Sequence, residues 1–205
     1  MNEVTDLGIQ LRFRTTSARV LDANRKFLDA AARFYDLSQT QSKDLSVDPA
    51  DLLNLLGRAI TCAVLGKAGA QRSRTMGVLL KDDRLEGLAL VPEFRTHPQV
   101  LNKMYTEQLL RKSEMAAFEA SLMTHQKAVM GDGLTIPERA VIEHNMVASS
   151  CTYENVRFTE LGNLLQIPKE KAEKVAARMI TEGRLRGTID QIEGVLQYQG
   201  GKSWG

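Results

Sequence analysis

His97, His125 and His144 are the three histidines of this 205-residue chain, and no two of them stand two or four residues apart. Zinc sites need imidazoles at such spacings so that two ring nitrogens can meet one ion. No metal site is therefore expected. Glu143 and His144 are neighbours on a helical segment, where successive side chains point about 100° apart. They face different surroundings, and a packed or capped histidine is the reading. Ser149, Ser150 and Cys151 offer nucleophilic atoms, but a nucleophile needs a base and an orienting group, and no G-x-S-x-G context surrounds them. Neither a G-x-x-x-x-G-K-[ST] loop nor a G-x-G-x-x-G turn is present, so no nucleotide or other cofactor is expected. Cys62 and Cys151 are too few and too far apart for a disulfide framework, and both are expected as buried reduced thiols. The chain reads as non-catalytic.

The elements that carry these residues speak more clearly. Hydrophobic residues make up 43% of the chain and charged ones 25%, an ordinary globular balance, and the net charge of +2 does not by itself call for nucleic acid. No run approaches the roughly 18 apolar residues of a membrane helix, and the N-terminus lacks the order of a signal peptide. A soluble intracellular protein is expected. From Pro137 to Tyr198 the pattern is that of a winged helix: a helix through PERAVIEHNMVASSCTY, a short FTELGNLL helix, a QIP turn, a third helix, and a two-stranded wing. In the third helix Ala172, Val175, Ala176, Met179 and Ile180 form one stripe at helical spacing. Pro168 sits where a first helical residue belongs, and Gly183 where a left-handed terminator does. Leu185, Gly187 and Ile189 alternate with polar residues, and Val195, Leu196 and Tyr198 follow after DQIEG, as in two antiparallel strands.

Two surfaces of this winged helix are candidates for contact. Lys169, Lys171, Lys174 and Arg178 make a modest basic face on the third helix, with Arg184 and Arg186 at its exit. Glu170 and Glu173 interrupt that face, Asp190 and Glu193 lie in the wing, and the helix offers no Asn or Gln to read adenine edges. A mixed solvated face is the plainer reading, with nucleic acid unlikely as a partner. The wing edge, comprising Leu185, Ile189, Gln191, Ile192, Val195 and Leu196, is the better protein interface, because unpaired strand edges template a neighbour's strand. The alternative is that its apolar members close the domain's own core.

Ahead of the winged helix, residues 17–133 read as stacked helical pairs. ARVLDANRKFLDAAARFYDLS forms one strong helical pattern, with Ala30, Ala31 and Ala32 allowing a close neighbour. After the polar break QTQSKDLSVDP, Leu52 to Val64 make a helix apolar nearly all round, as if buried between two others. Short helices around LLKDDR, VLNKMYTEQLL and EMAAFEASLM follow, and GDG at residues 131–133 marks the seam to a winged-helix part at 134–198. Residues 1–16 show no period and are expected as a leader, and 199–205 as a flexible tail. The fold class is mainly α: a TPR- or HEAT-like helical stack followed by a winged helix.

The runs ARVLDANRKFLDAAARFYDLS, AGAQRSR, AAFEASLMTHQKA, IEHN and FTELGNLLQIP, and above all KAEKVAARMITEGRLRGTIDQIEGV, make the chain resemble PCI-domain proteins, specifically those of the constitutive photomorphogenesis 9 (COP) signalosome. The resemblance implies a scaffold role in the complex that removes the ubiquitin-like protein Nedd8 from cullin-RING ubiquitin ligases, in cytoplasm and nucleus. Catalysis there belongs to a separate zinc metalloprotease subunit. It also implies joining to other signalosome subunits through winged-helix sheets, with Arg184 to Tyr198 at the edge, and only indirect contact with cullin-RING ligases. Proteasome-lid and translation-initiation subunits share the architecture, and a nucleic-acid-binding winged helix is the reading from another class. Members resembling this chain are about twice as long, which leaves a truncated form, a fragment and an unusually short gene product as the alternatives.

Overall fold

In the computed structural model, residues 2–40 and 48–199 are described, and their hydrophobic side chains gather into two cores. The first is built by α1 (Asn2–Ala23), α2 (Phe27–Ser38), α3 (Pro49–Leu65), α4 (Ala70–Leu79), the single turn α5 (Leu85–Leu88), α6 (His97–Tyr105) and α7 (Lys112–Ala120). α3 packs against α2, α4 and α6, and Leu56, Ala59, Ile60 and Ala63 are wholly buried there, as its all-round apolar sequence requires. Asp48 caps it by accepting from the Ala50 amide at 2.9 Å, and Pro49 takes the first helical position.

Two expectations are corrected at the N-terminus. Residues 2–16 of the expected leader are part of α1, whose sequence has no single apolar stripe and so leaves no period to read, and residue 1 lies outside the described residues. The long pattern expected as one helix is two, broken between Ala23 and Phe27. Arg25 adopts a left-handed φ of 60°, the Lys26 amide donates to the Leu21 carbonyl at 2.9 Å, and the Arg25 amide donates to Asp22 at 2.9 Å. That is a Schellman closure, which usually advertises itself with glycine. Arginine hides it. Residues 200–205 of the expected tail, and residues 41–47 of the polar break, lie outside the described residues.

The second core is the winged helix. α8 (Ile136–Ser149) opens behind a capping box in which Thr135 and Glu138 satisfy each other's amides. Then come β1 (Asn155–Arg157), α9 (Phe158–Leu165), α10 (Lys169–Thr181), β2 (Gly187–Asp190) and β3 (Val195–Tyr198). The α10 stripe buries Ala172, Val175, Ala176 and Met179 as expected, with Ile180 partly covered. Gly183 terminates the helix at φ 67°, while Pro168 serves as the cap residue and not as the first helical one. The sheet has three strands where two were expected: β3 lies between β1 and β2, antiparallel to both, with Val156 opposite Leu196 and Ile189 opposite Leu196 on the other side. β1 is three residues long and too short to show alternation. Among the described residues, no helix is long and apolar enough to cross a membrane.

Candidate functional site

The wing edge divides into residues that face inward and residues that face out. Leu185 is 3% exposed and Leu196 is fully buried, so both belong to the domain's own core and leave the expected interface. For Leu196 alternation along β3 dictates this, since every second side chain turns to the core, while Leu185 is buried just ahead of β2. Ile189 and Val195 are partly covered, Ile189 packing on the same core. Gln191 is exposed, and Ile192 stands out at 95% exposure. Its position is held from below: the Asp190 carboxylate accepts from the amides of Ile192 at 3.0 Å and Glu193 at 3.1 Å, and Gly194 turns back at φ 63°. This Asx turn presents a bare isoleucine on an ordered tip. Beside it, β2 has one pairing face taken by β3, and no described strand covers its other edge.

The basic face of α10 is smaller than its sequence. Lys169 and Lys174 are exposed and Lys171 half-covered, but Arg178 turns inward, donating to Asp132 and to Glu143 at 3.3 Å each. Arg178 is an ion-pair member and leaves the expected basic face.

That inward turn leads to the site that sequence reasoning missed. Glu143, 2% exposed, accepts both guanidinium nitrogens of Arg184 at 2.6 and 3.1 Å, one from Arg178, and the Ala68 amide at 3.4 Å. Arg184 reaches on to the Ala68 carbonyl at 3.4 Å. The adjoining residues of the same helix make parallel ties. His144 donates through Nε2 to the Gln108 carbonyl at 2.7 Å, and Asn145 both accepts from the Leu110 amide and donates to the Leu110 carbonyl at 2.9 Å. Burial, with Arg72 nearby, holds His144 at a pKa of about 3, so it stays neutral. The runs IEHN, AGAQRSR and MITEGR thus meet in space. Their meeting joins the helical stack to the winged helix, and its partners are too far apart in sequence to show a spacing.

The remaining candidates are structural. His97 is wholly buried between Phe94 and Phe118, and its Nε2 lies 2.9 Å from Thr61 Oγ1. Thr61 gives its own proton to the Gly57 carbonyl, so the histidine donates. The Ser149 and Tyr198 hydroxyls share a hydrogen bond at 2.6 Å, and both reach the Met146 carbonyl, at 2.8 and 3.4 Å, anchoring β3 to the end of α8. Burial pushes Tyr198 to about 12. Cys62 is buried as expected, but Cys151 is exposed, because α8 ends at Ser149 and the following turn faces outward. Among the described residues no group of three or more His, Cys, Asp or Glu side chains could hold a metal ion.

The fold is thus a stack of helical pairs joined to a winged helix whose β2 has one edge that no described strand covers. The family model described as "PCI domain" matches residues 94–199, just over half of the chain. The chain belongs to the PCI-domain family. It is 46% identical over 189 residues to COP9 signalosome complex subunit 4 of Dictyostelium discoideum, covering 92% of this chain and 45% of the relative. It is 43% identical over 194 residues to the subunit 4 of Arabidopsis thaliana, covering 93% and 47%. For that of Drosophila melanogaster the identity is 44% over 197 residues, covering 96% and 46%. The chain spans about half the length of the curated relatives it matches.

Proposed function

We propose that this chain is a non-catalytic assembly module of the COP9 signalosome, supporting removal of Nedd8 from cullin-RING ligases by holding other subunits together. The chemistry of that reaction lies on a separate zinc metalloprotease subunit, and contact with cullin-RING ligases is indirect. The module works in cytoplasm and nucleus. Its binding elements are the free edge of β2 and the wing tip. The observation that carries this reading is Ile192, 95% exposed on a tip whose backbone Asp190 fixes. A bare β-branched side chain on an ordered turn has the form of an interface anchor, since it costs little entropy to bury against a partner. The uncovered edge of β2 beside it adds main-chain hydrogen bonds in the same contact.

The test is capture of signalosome subunits by the purified chain, identified by mass spectrometry, with Ile192→Asp alongside. The expected outcome is recovery of signalosome subunits by the parent chain and their loss in the variant. Because the side chain is in water, the variant's stability should stay within about 0.5 kcal/mol of the parent. Equal recovery by both proteins would remove the wing tip from the interface.

A further inference from the structure

Behind the Glu143 junction lies a cavity of about 510 Å³, enclosed by the start of α2, the α3–α4 turn, α8 and Arg184. That volume is within the range of small-molecule sites, about 300–1,000 Å³. Its floor is apolar, from Phe27, Leu28, Leu65, Met130, Ile136 and Ala140. Its charged lining is lopsided: six cations, Arg25, Lys26, Lys67, Arg72, Arg139 and Arg184, against the two carboxylates Asp29 and Glu143.

Ion pairing leaves the lining positive. Glu143 is engaged by Arg184 and Arg178, Arg139 pairs with Asp132, and Asp29 is exposed. Arg25, Lys26, Lys67 and Arg72 make no ion pair with any described residue. Arg72 is only 5% exposed, yet its one hydrogen bond is a long 3.4 Å contact to the Gly66 carbonyl, leaving most of its five donors unused. Arg139 donates to Asp132 through one terminal nitrogen while its Nε is buried with no partner. Arg72 lies near Glu143, whose oxygens are already held by Arg184 and Arg178, so its free donors favour a further anion beside them. The N-termini of α2 and α4 open on the same cavity, and neither is capped by a side chain. Their free amides and dipoles add to the attraction for negative charge.

We propose that this cavity is a binding site for an amphipathic phosphate monoester: a phosphate held by Arg72, Lys26, Lys67 and the two helix starts, with an apolar body on the Phe27 and Ile136 floor. Such a ligand touches the helical stack through α2 and the α3–α4 turn, and α8, the first helix of the winged helix, through Ile136. It would therefore fasten the same junction that Glu143 makes from the other side.

The experiment is calorimetric titration of the full chain with phenyl phosphate and, separately, with inorganic phosphate. Phenyl phosphate should bind at least about tenfold tighter, because burying a ring adds more than the roughly 1.4 kcal/mol that a factor of ten requires. Lys26→Gln/Lys67→Gln should weaken phenyl phosphate about tenfold without moving the melting temperature, since both lysines are exposed. The proposal is overturned by no phenyl phosphate binding at millimolar concentration, by equal affinity for the two probes, or by a double variant that binds as the parent does.

Discussion

Two buried histidines make this fold sensitive to mild acid. Burial holds His97 at about 4 and His144 at about 3, whereas an unfolded chain titrates them near 6.5. Both folded values are depressed, so below about pH 6.5 the unfolded state binds more protons. The contribution is complete above the unfolded value and is lost as pH falls toward the folded ones. Between pH 7 and pH 5 each histidine should remove about 2 kcal/mol from the folding free energy, about 4 together. The lowered carboxylates Asp82 and Asp132 act in the same direction but at lower pH, starting near their unfolded values of about 4. Urea unfolding at pH 7, 6 and 5 measures the slope, and His144→Gln, which keeps a donor for the Gln108 carbonyl, should halve it. A flat profile over that range would contradict the burial argument. The sequence showed that neither histidine had the company of a metal site or a triad. It could not show Thr61 or Gln108, because a hydrogen bond closed by tertiary folding leaves no spacing in the chain.

Four helices end in the same Schellman geometry, and only one announces it. α10 closes on Gly183, whereas α1 closes on Arg25, α6 on Glu107 and α9 on Gln166, all at φ between 55° and 67°. At α10, glycine in its usual place made the helix legible to its end. At α1 the missing glycine concealed the break, and an amphipathic pattern that ran on across Arg25 read as one helix. Legibility of the elements thus followed how far each obeyed its local rule: the α9, α10 and α8 patterns did, the unpatterned α1 and the three-residue β1 did not. The left-handed positions make a direct prediction. Gln166→Gly relieves the Cβ clash of that conformation and should stabilise the fold by about 1 kcal/mol, read as a raised urea midpoint. No gain would mean that the backbone entropy glycine gains in the unfolded state offsets the relief. The wing supplies the opposite pair of tests. Leu196→Asp places a carboxylate in the core and should unfold the winged helix, while Ile192→Asp should leave its circular dichroism and melt unchanged.

At the scale of the whole molecule, two hydrophobic cores would be free to open separately if α8 did not belong to both. Ile136 and Val141 pack on the first core, and Ile142, Met146 and Val147 on the second. Apolar contact alone is forgiving of small displacements, whereas the Glu143 carboxylate sits at fixed distances from Arg184, Arg178 and Ala68. Buried ion pairs of this kind contribute little net stability against an apolar substitute, but losing one partner strands the other. Glu143→Gln takes from Arg184 the buried one of its two carboxylate partners, leaving it Glu182 alone beside the buried Arg72. The expected loss is about 3 kcal/mol, and its distribution is the more telling result. In the parent chain, amide hydrogen exchange in α3 and in α10 should report one common opening free energy, as a single cooperative unit does. In Glu143→Gln, α10 and β3 should exchange through a lower-energy opening while α3 keeps most of its protection. If both elements lose protection equally, the carboxylate stabilises the fold without coupling its halves, and the shared helix α8 alone makes the molecule one body.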